Sequence, residues 1–405
     1  MTRFAAARRF AAALFAIAAI APRPAPAAEL SDGIVRIGVL TDLSGPYSAI
    51  AGQGSVIAAR MAIADFGGQV AGRPVELVAA DHQNKPDIGS AIARQWFDAD
   101  KVDVVVDLVN SAVGLAVMNI ARERHKVTLL TGTITGRAVN EECSPTNIQW
   151  TNDTYALANS SADALVKRGG KSWFFITVDN AFGRSLEKDA AATVKRLGGT
   201  VVGSVAHPLD TTDFSSYLLQ AQASGADVIG LANAGANTID AVKQAAEFRI
   251  APKQTLAALD AFLTDIHAIG LEVAQGMYVT QGFYWDFDDA TRAWSKRFFA
   301  ERQAMPTVQN AAIYSLVTHY LKAVEAVGGD DAAKVMAQLK SSPVKDFYAR
   351  NAEIRRNGSL IHDIYLMRVK TPAASTYPWD YYEIDTVVPA AKAFPPLEAS
   401  ACGLK

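Results

Sequence analysis

Short apolar runs alternate with amphipathic segments along most of this chain. Residues 35–40 are almost continuously apolar, which is typical of a strand buried on both faces of a sheet. A polar turn at residues 41–46 ends in Gly-Pro, and apolar residues then recur at helical spacing from Val56 to Phe66. A strand that feeds a helix through such a loop leaves hydroxyl and amide N–H groups at the carboxyl edge of a parallel sheet, where open α/β sheets bind ligands.

The same alternation continues in two series. The pattern predicts strands at residues 75–80, 102–108, 127–130, 172–178, 200–205, 228–231 and 255–259, with helices at 88–97, 113–122, 155–168, 182–197, 214–223 and 238–248. It pauses at residues 147–152, a short extended stretch, and then restarts. We therefore predict an α/β protein with two similar halves, each a mostly parallel sheet flanked by helices, joined near residue 150.

The last third of the chain has a different pattern. It predicts three helices, at residues 289–301, 308–327 and 332–339. A hairpin is predicted around Asn357-Gly358, with strands at 352–356 and 359–369, because Asn-Gly is the strongest two-residue hairpin signal. A last strand is predicted at 379–384, and a Pro-rich tail follows it.

The N-terminus has the pattern of a secretory signal. Three arginines within residues 3–9 precede an apolar run at 10–21 and an Ala-Pro-Ala sequence ending at Ala27. We expect cleavage after Ala27 or Ala28, so that residues 1–28 are removed and 35 basic residues remain against 41 acidic ones. The apolar run is too short to cross a bilayer, and the balance of charge gives no basic surface for nucleic acid. A short apolar N-terminal helix is the alternative.

The chain has two cysteines, Cys143 and Cys402. An exported protein with two cysteines can form one disulfide. The tail after residue 384 has no strong helical or strand pattern and needs an anchor. We predict a disulfide that holds this tail beside the connection between the two halves; two free buried thiols are the alternative.

Catalytic signatures are missing from the sequence. It contains no Gly-x-Ser-x-Gly, no His-Glu-x-x-His and no Cys-x-x-Cys. The six histidines are scattered, without the spacing of metal ligands. We therefore predict no metal site, no cofactor and no enzymatic activity.

Small polar residues recur immediately after the predicted strands. The loops that carry them are residues 110–112, 131–136, 179–183, 233–237 and 260–262. Each loop taken singly is an ordinary helix N-cap. Five such loops on the same strand edge of two halves would face one another across a cleft and supply the hydrogen bonds that a small polar ligand needs.

Three segments carry a resemblance to a known family: IGVLTDLSGPY at residues 37–47, DNAFGR at 179–184, and YLLQA with GAD within 217–227. With them the chain resembles the type I periplasmic binding proteins of ABC transporters, in the branched-chain amino-acid (Leu/Ile/Val) class. The resemblance covers nearly the whole chain after the signal. It implies two Rossmann-like lobes joined by three hinge crossings, which close on a ligand and dock to a membrane permease.

The resemblance also implies how the chain is divided. The first lobe would comprise residues 32–151 and 281–355, the second lobe residues 152–280 and 356–388, and the tail residues 389–405. We expect a periplasmic monomer without a cofactor.

The resemblance implies roles for several residues in the cleft. Ser111 and Thr135 should offer hydroxyls, and Thr133 backbone groups, to a ligand carboxylate. Phe182 falls where relatives carry a pocket aromatic residue, and Asp260 falls near the acid that binds the ammonium of an amino acid. The predicted site is completed by Ser44, Tyr47, Asn110, Asn233 and Tyr284.

Two of these positions have alternative interpretations. Asp260 directly follows an apolar strand and should face the cleft, but it could instead only cap the helix that begins near residue 263. Tyr284 lies in the triplet Phe283-Tyr284-Trp285, and an aromatic triplet is more often core than pocket. If Tyr284 or Trp285 lines the cleft, a flat aromatic acid becomes an attractive ligand.

The sequence therefore predicts a solute-binding component of an ABC importer, with an amino acid or a related acid as its ligand. An aromatic acid is the close alternative. An exported sensory module would have the same fold. An enzyme, such as a hydrolase using Asp179 and Asp260, is the remaining alternative.

Overall fold

The computed structural model describes residues 1–2, 30–350 and 352–404. The predicted signal peptide falls almost entirely outside these described residues. Within the described part of the chain, no helix combines the length and the apolar character needed to cross a membrane.

Strands and helices alternate as the apolar pattern predicts. The first series comprises β1 (Val35–Thr41), α1 (Gly52–Asp65), β2 (Gln69–Val70), β3 (Arg73–Asp81), α2 (Pro86–Asp98), β4 (Val104–Asp107), α3 (Ser111–Glu123), β5 (Val127–Leu130) and β6 (Asn147–Gln149). The second comprises α4 (Thr154–Lys167), β7 (Ser172–Val178), α5 (Ala181–Arg196), β8 (Thr200–His207), α6 (Ser215–Ala223), β9 (Val228–Ala232), α7 (Ala236–Glu247), β10 (Thr255–Ala258), α8 (Leu263–Ile269), α9 (Leu271–Ala274) and β11 (Tyr278–Gln281). The rest comprises α10 (Asp289–Arg302), α11 (Val308–Val327), α12 (Ala332–Ser341), β12 (Glu353–Ile354), β13 (Leu360–Ile361), β14 (Ile364–Val369), β15 (Tyr382–Val388) and α13 (Ala390–Ala393).

The strands form two main parallel sheets, one in each lobe. The first sheet has the order β2-β3-β1-β4-β5-β6 and is parallel except for the short edge strand β2. The second has the order β10-β9-β7-β8 and is entirely parallel. An antiparallel sheet, β11-β14-β15, adjoins the second lobe. The predicted class, two α/β lobes with mostly parallel sheets, is confirmed.

The central strand β1 is covered on both faces, as its continuous apolar run predicts. Ile37 and Val39 are fully buried in the core that contains α1, whereas Leu40 packs in a second core with Trp96 of α2. Gly38 allows α2 to approach closely, because a Cβ atom there would lie 2.5 Å from the Trp96 ring. This packing fixes β1, and the loop that follows it, at the middle of the first sheet.

The chain returns to the first lobe after β11. Helix α11 packs along α1, and the indole N–H of Trp150 donates to Ser315 Oγ of α11 at 3.1 Å. Strand β14 then pairs with β11 beside the second lobe. Helix α11 therefore lies on the first lobe and β14 beside the second, and the bridge between Gln149 and Ser359 keeps the chain on the first lobe past residue 355.

Two predictions near the C-terminus need correction. The second strand of the hairpin is interrupted, because β13 ends at Ile361 and β14 begins only at Ile364. The last strand begins at Tyr382 instead of residue 379, because Trp379 has a positive φ of 67° and the Asp380 carboxylate accepts from Thr376 N, which closes a turn. Local apolar content could not reveal that turn.

A disulfide joins Cys143 to Cys402, with the two Cα atoms 5.7 Å apart. The hydroxyl of Ser400 donates to Val139 O and Asn140 Oδ1, at 3.2 and 2.8 Å. Closer to β15, Asn159 of α4 donates to the carbonyl of Lys392 at 2.9 Å. The tail therefore contacts α4 of the second lobe first and is then fastened to the first lobe.

Candidate functional site

A narrow cavity lies between the lobes, at the carboxyl ends of their strands. It is lined by Tyr47, Ile50, Val109, Ser111, Gly132, Ile134 and Gln309 from the first lobe and by Phe182, Ala234, Asp260 and Phe262 from the second. The free space holds roughly one or two waters, so the lobes must separate slightly to admit a larger molecule.

The loop after β1 is shaped by the buried carboxylate of Asp42. Its oxygens accept from the backbone N–H groups of Ser44, Gly45 and Tyr47, at 3.3, 2.6 and 2.9 Å, and from Asn84 Nδ2 at 2.6 Å. Such a set of bonds fixes the backbone on both sides of the turn. Tyr47 is thereby held at the cleft, where its side chain is only 3% exposed.

A second polar side chain, Asn110, positions Ser111. Asn110 Oδ1 accepts from the N–H groups of Ala112 and Val113 and so caps α3, while its Nδ2 donates to Asn84 at 3.3 Å. Ser111 is the first residue of α3, where backbone N–H groups have no partner within the helix and the dipole favours negative charge. Its hydroxyl accepts from Thr135 N at 3.4 Å, which leaves the O–H free to donate into the cavity.

The second lobe closes on these groups through a few contacts. Asn180 Oδ1 caps α5 by accepting from Gly183 N, and Asn180 Nδ2 donates to Tyr47 OH at 3.2 Å. The cap places Phe182 against the cavity, and the bond to Tyr47 joins the lobes. Because Tyr47 OH accepts this bond, its own proton is free to donate.

Two further contacts hold the lobes together. The N–H of Ala236, at the start of α7, donates to Pro46 O at 3.1 Å. Gly235 precedes it with a φ of 59°, and a Cβ atom there would lie 2.4 Å from Pro46 O, so only glycine fits. Thr135 Oγ1 and Ser185 Oγ of α5 are 2.7 Å apart across the cleft.

Asp260 is the one acidic residue among the described residues that line the cavity. It is 3% exposed, and its carboxylate accepts a long hydrogen bond of 3.4 Å from Gln281 Nε2. Burial, and then the nearby negative charge of Asp265, raise the pKa of Asp260 to about 8, against the smaller opposing effect of the Gln281 bond. The carboxyl group is therefore largely protonated at neutral pH when no ligand is bound.

Asp265 accounts for the helix cap that was the alternative role of Asp260. Asp265 Oδ2 accepts from the N–H of Phe262, the N-cap residue of α8, at 3.1 Å. Burial raises the pKa of Asp265 to about 7, against the bonds that it accepts from Phe262 and Gly235. The cap alternative for Asp260 is wrong, because the helix begins at Leu263 and its first turn is bonded by Asp265.

The structure brings together four of the ten residues predicted for the site. Tyr47, Ser111, Phe182 and Asp260 all line the cavity. Thr135 instead bonds Ser185 beside it. Tyr284 lies behind Phe262, where its OH accepts from Tyr382 N at 3.4 Å.

The other four predicted residues are not among those that line the cavity, and their polar groups bond other parts of the protein. Ser44 Oγ donates to Asp81 Oδ2, and Asn110 caps α3. The Thr133 hydroxyl donates to Leu108 O and its carbonyl accepts from Gln149 Nε2, both at 2.7 Å. Asn233 accepts from Thr238 Oγ1 at 2.8 Å and lies 3.2 Å from His207 Nε2.

Sequence reasoning missed the cavity's apolar wall and one polar residue, Gln309. Gln309 is 4% exposed, and its Oε1 has no hydrogen-bond partner in the described part of the chain. It lies in the first turn of α11, which Thr307 caps by accepting from Asn310 N at 3.3 Å. The Thr-x-x-Asn pattern in the sequence indicates the start of this helix. Gln309 follows no strand, however, so the rule that polar residues after strands line the cleft did not identify it. Among the described residues no cluster of His, Cys, Asp and Glu suits a metal ion.

This fold and this cleft define a two-lobed solute-binding protein. The family model for periplasmic binding proteins matches residues 34–375, and the chain belongs to that family, in its type I branched-chain amino-acid class. A periplasmic binding protein from Burkholderia mallei is 49% identical, with a TM-score of 0.90 over 92% of this chain and 100% of its own. A branched-chain amino-acid ABC transporter periplasmic ligand-binding protein from Burkholderia xenovorans LB400 is 40% identical, with a TM-score of 0.81 over 91% and 99%.

A curated relative agrees with these structures. The Leu/Ile/Val-binding protein homolog 6 of Brucella melitensis is 25% identical over 321 residues, which cover 76% of this chain and 80% of the relative. The chain is thus a solute-binding protein of ABC transport, with a small-molecule ligand, a permease partner and a periplasmic location. The family and its structural neighbours are transport proteins and not enzymes.

Proposed function

We propose that this protein binds a zwitterionic amino acid between its lobes and delivers it to an ABC permease. The ammonium would lie against the carboxylate of Asp260 in the second lobe. The carboxylate would lie at the start of α3 in the first lobe, against the N–H and O–H of Ser111. One ligand would then bridge the two lobes.

The charge of the cavity carries this proposal. Asp260 is the one charged residue among the described residues that line it, and no lysine or arginine faces it there. A buried carboxylate without a cation is costly unless it is protonated or paired. A ligand ammonium supplies the missing cation, and charge-assisted hydrogen bonds of this kind are roughly twice as strong as neutral ones.

The groups opposite Asp260 support a carboxylate at the other end of the ligand. The first turn of a helix with an unused N–H is a favourable site for an anion. The free protons of Ser111 and Tyr47 add two donors. Contacts such as Ala236 N to Pro46 O then favour a closed state, in which the ligand is removed from solvent.

Calorimetric titration with matched ligands tests this assignment. We expect L-leucine and L-phenylalanine to bind at least tenfold more tightly than 4-methylpentanoate and 3-phenylpropionate, which have the same shapes without the ammonium. Equal affinity within either pair would refute a role for Asp260 in binding the ammonium.

An aromatic acid is the second candidate, and the raised pKa of Asp260 favours it. A carboxyl group with a pKa of about 8 keeps its proton at pH 7 and can donate it to a ligand carboxylate. Phe182, Phe262 and Tyr47 provide aromatic walls. For such a ligand, affinity would fall as Asp260 ionises with rising pH.

We further propose that residues 1–28 are removed on export and that the protein is a monomer. A sensory role would use the same fold and cleft. Reconstituted uptake with the cognate permease distinguishes the two roles, because a purely sensory protein would not support transport.

A further inference from the structure

A second cavity shares one lining residue, Phe262, with the first. It is lined by aromatic and polar residues that include Gln281, Tyr284, Trp285, Thr307 and Tyr382. Phe262 borders both cavities and is the partition between them. We call this second space the hinge chamber, because Gln281 ends β11, where the chain crosses between the lobes.

Two residues that line the hinge chamber have buried polar atoms without a partner. Tyr382 is 4% exposed and Gln281 is 3% exposed, yet the Tyr382 OH and Gln281 Oε1 have no hydrogen-bond partner among the described residues. Leaving such buried groups unpaired is unfavourable, and folded proteins seldom tolerate it. A neutral group that both donates and accepts, such as a hydroxyl, would satisfy both atoms.

The surroundings narrow the chemistry of that group. Tyr284 and Trp285 provide aromatic walls, which suit a flat ring. Burial, and then the negative charge of Asp265, raise the pKa of the Tyr382 phenol. A second ligand carboxylate would be repelled there, whereas a phenol hydroxyl would not.

Gln281 connects the chamber to the cleft. Its Nε2 donates to Ala261 O at 2.8 Å and to Asp260 Oδ1 at 3.4 Å, and Gln281 is itself one of the residues that line the chamber. A ligand whose head group lies against Asp260 would therefore need to pass only Phe262 to reach this amide.

We propose that the hinge chamber is a subsite for a phenol ring at the far end of the ligand, admitted when Phe262 swings aside. This inference rests on the proposed function, since Asp260 and Ser111 hold the head group. The ring would stack among the aromatic walls, and its hydroxyl would bond Tyr382 OH and Gln281 Oε1.

Calorimetry with two pairs of probes tests the subsite: L-tyrosine with L-phenylalanine, and 3-(4-hydroxyphenyl)propionate with 3-phenylpropionate. We expect the phenol to improve affinity at least tenfold within a pair. Tyr382→Phe should reduce that ratio at least fivefold without lowering the melting temperature of the unliganded protein. The matched control is Tyr381→Phe, whose hydroxyl bonds His267 outside the chamber and should leave the ratio unchanged.

A second variant tests the partition. Phe262→Leu should strengthen binding of L-tyrosine at least threefold relative to binding of L-alanine, which is too short to pass residue 262. If only the two propionates bind, the proposed ammonium site at Asp260 is refuted. The ratio of the two propionate affinities then still tests whether the hinge chamber binds a phenol. A ratio near one in the wild type, a ratio unaffected by Tyr382→Phe, or no binding of either pair would overturn the subsite.

Discussion

Two buried aspartates on opposite sides of the cleft, Asp42 and Asp260, differ in how their charge is satisfied. Each follows a strand of its lobe's parallel sheet, and each is at most 3% exposed. Asp42 accepts four hydrogen bonds, three from backbone N–H groups and one from Asn84, whereas Asp260 has one long bond from Gln281. Hydrogen bonds within the first lobe therefore satisfy the Asp42 carboxylate without a ligand. In the second lobe, the Asp260 carboxyl group needs a ligand as its partner.

The largest expected effect is on ligand binding at Asp260. Asp260→Asn removes the charge but keeps the shape, so binding of the preferred amino acid should weaken by about 2 kcal/mol or more, roughly 30-fold. The unliganded variant should melt at the same temperature as the wild type or higher, because an unpaired buried acid is gone. Calorimetry and thermal melts measure the two effects.

Asp179 supplies the matched control for that variant. It is also the first residue after a strand of the second lobe, but it is exposed and pairs with Arg184 at the surface. Asp179→Asn should leave affinity within twofold of the wild type. If Asp179→Asn weakens binding as much as Asp260→Asn does, the loss of affinity comes from the change in the protein's net charge and not from the cavity.

The next largest effect is expected on protein stability, from a substitution of Asp42 in the first lobe. Asp42→Ala leaves the N–H groups of Ser44, Gly45 and Tyr47 without their acceptor, so the free energy of unfolding should fall by about 2–3 kcal/mol. Urea denaturation measures it, with exposed Asp210→Ala as the control expected to change stability by less than about 0.5 kcal/mol. A loss below about 0.5 kcal/mol for Asp42→Ala would show that the loop does not depend on this carboxylate.

Closure itself is tested at Gly235. Gly235→Ala places a Cβ atom 2.4 Å from Pro46 O of the opposite lobe, so affinity should fall about tenfold, or 1.4 kcal/mol. Gly225→Ala is the control, because Gly225 has a similar φ of 64° but no atom within 4 Å of the added Cβ. Equal affinity in the two variants would mean that the contact between Gly235 and Pro46 does not limit closure.

The smallest expected effect is on the pH dependence of stability. The pKa of the Asp260 carboxyl group is about 8 in the folded protein and near 3.9 in the unfolded chain. At pH values between these two, the group is protonated in the folded state only. The contribution of this group to the stability of the unliganded protein should therefore fall as pH rises, by about 0.7 kcal/mol between pH 7.5 and 8.5. Buried His82 has a pKa lowered to about 4, which acts oppositely, but only below pH 6.5. Asp260→Asn should reduce this slope.

The fold was predictable because apolar runs and polar strand ends are local features of the sequence. The loops after β1, β4, β5, β7, β9 and β10 do meet at one cleft, as parallel strands require. The sequence did not reveal which polar side chains remain free to bind a ligand. Asn110 and Asn233 look like ligand groups in sequence, but one caps α3 and the other bonds Thr238, and only three-dimensional packing reveals those partners.

Gln309 shows the other limit. It reaches the cavity from α11, which the chain forms only after its second crossing, so nothing in its local sequence marks it as a cleft residue. Asp260 was recognised because it directly follows an apolar strand. Its isolation from cations and its raised pKa depend on residues from several elements and required the structure.

Proton release on binding tests the pairing of Asp260 with an ammonium most directly. The preferred amino acid is titrated at pH 7 in two buffers of different ionisation enthalpy, which gives the number of protons exchanged. We expect release of roughly 0.5–1 proton, because the ammonium converts Asp260 from its protonated to its charged form. Asp260→Asn should abolish this release. Proton uptake, or no exchange in the wild type, would contradict the account.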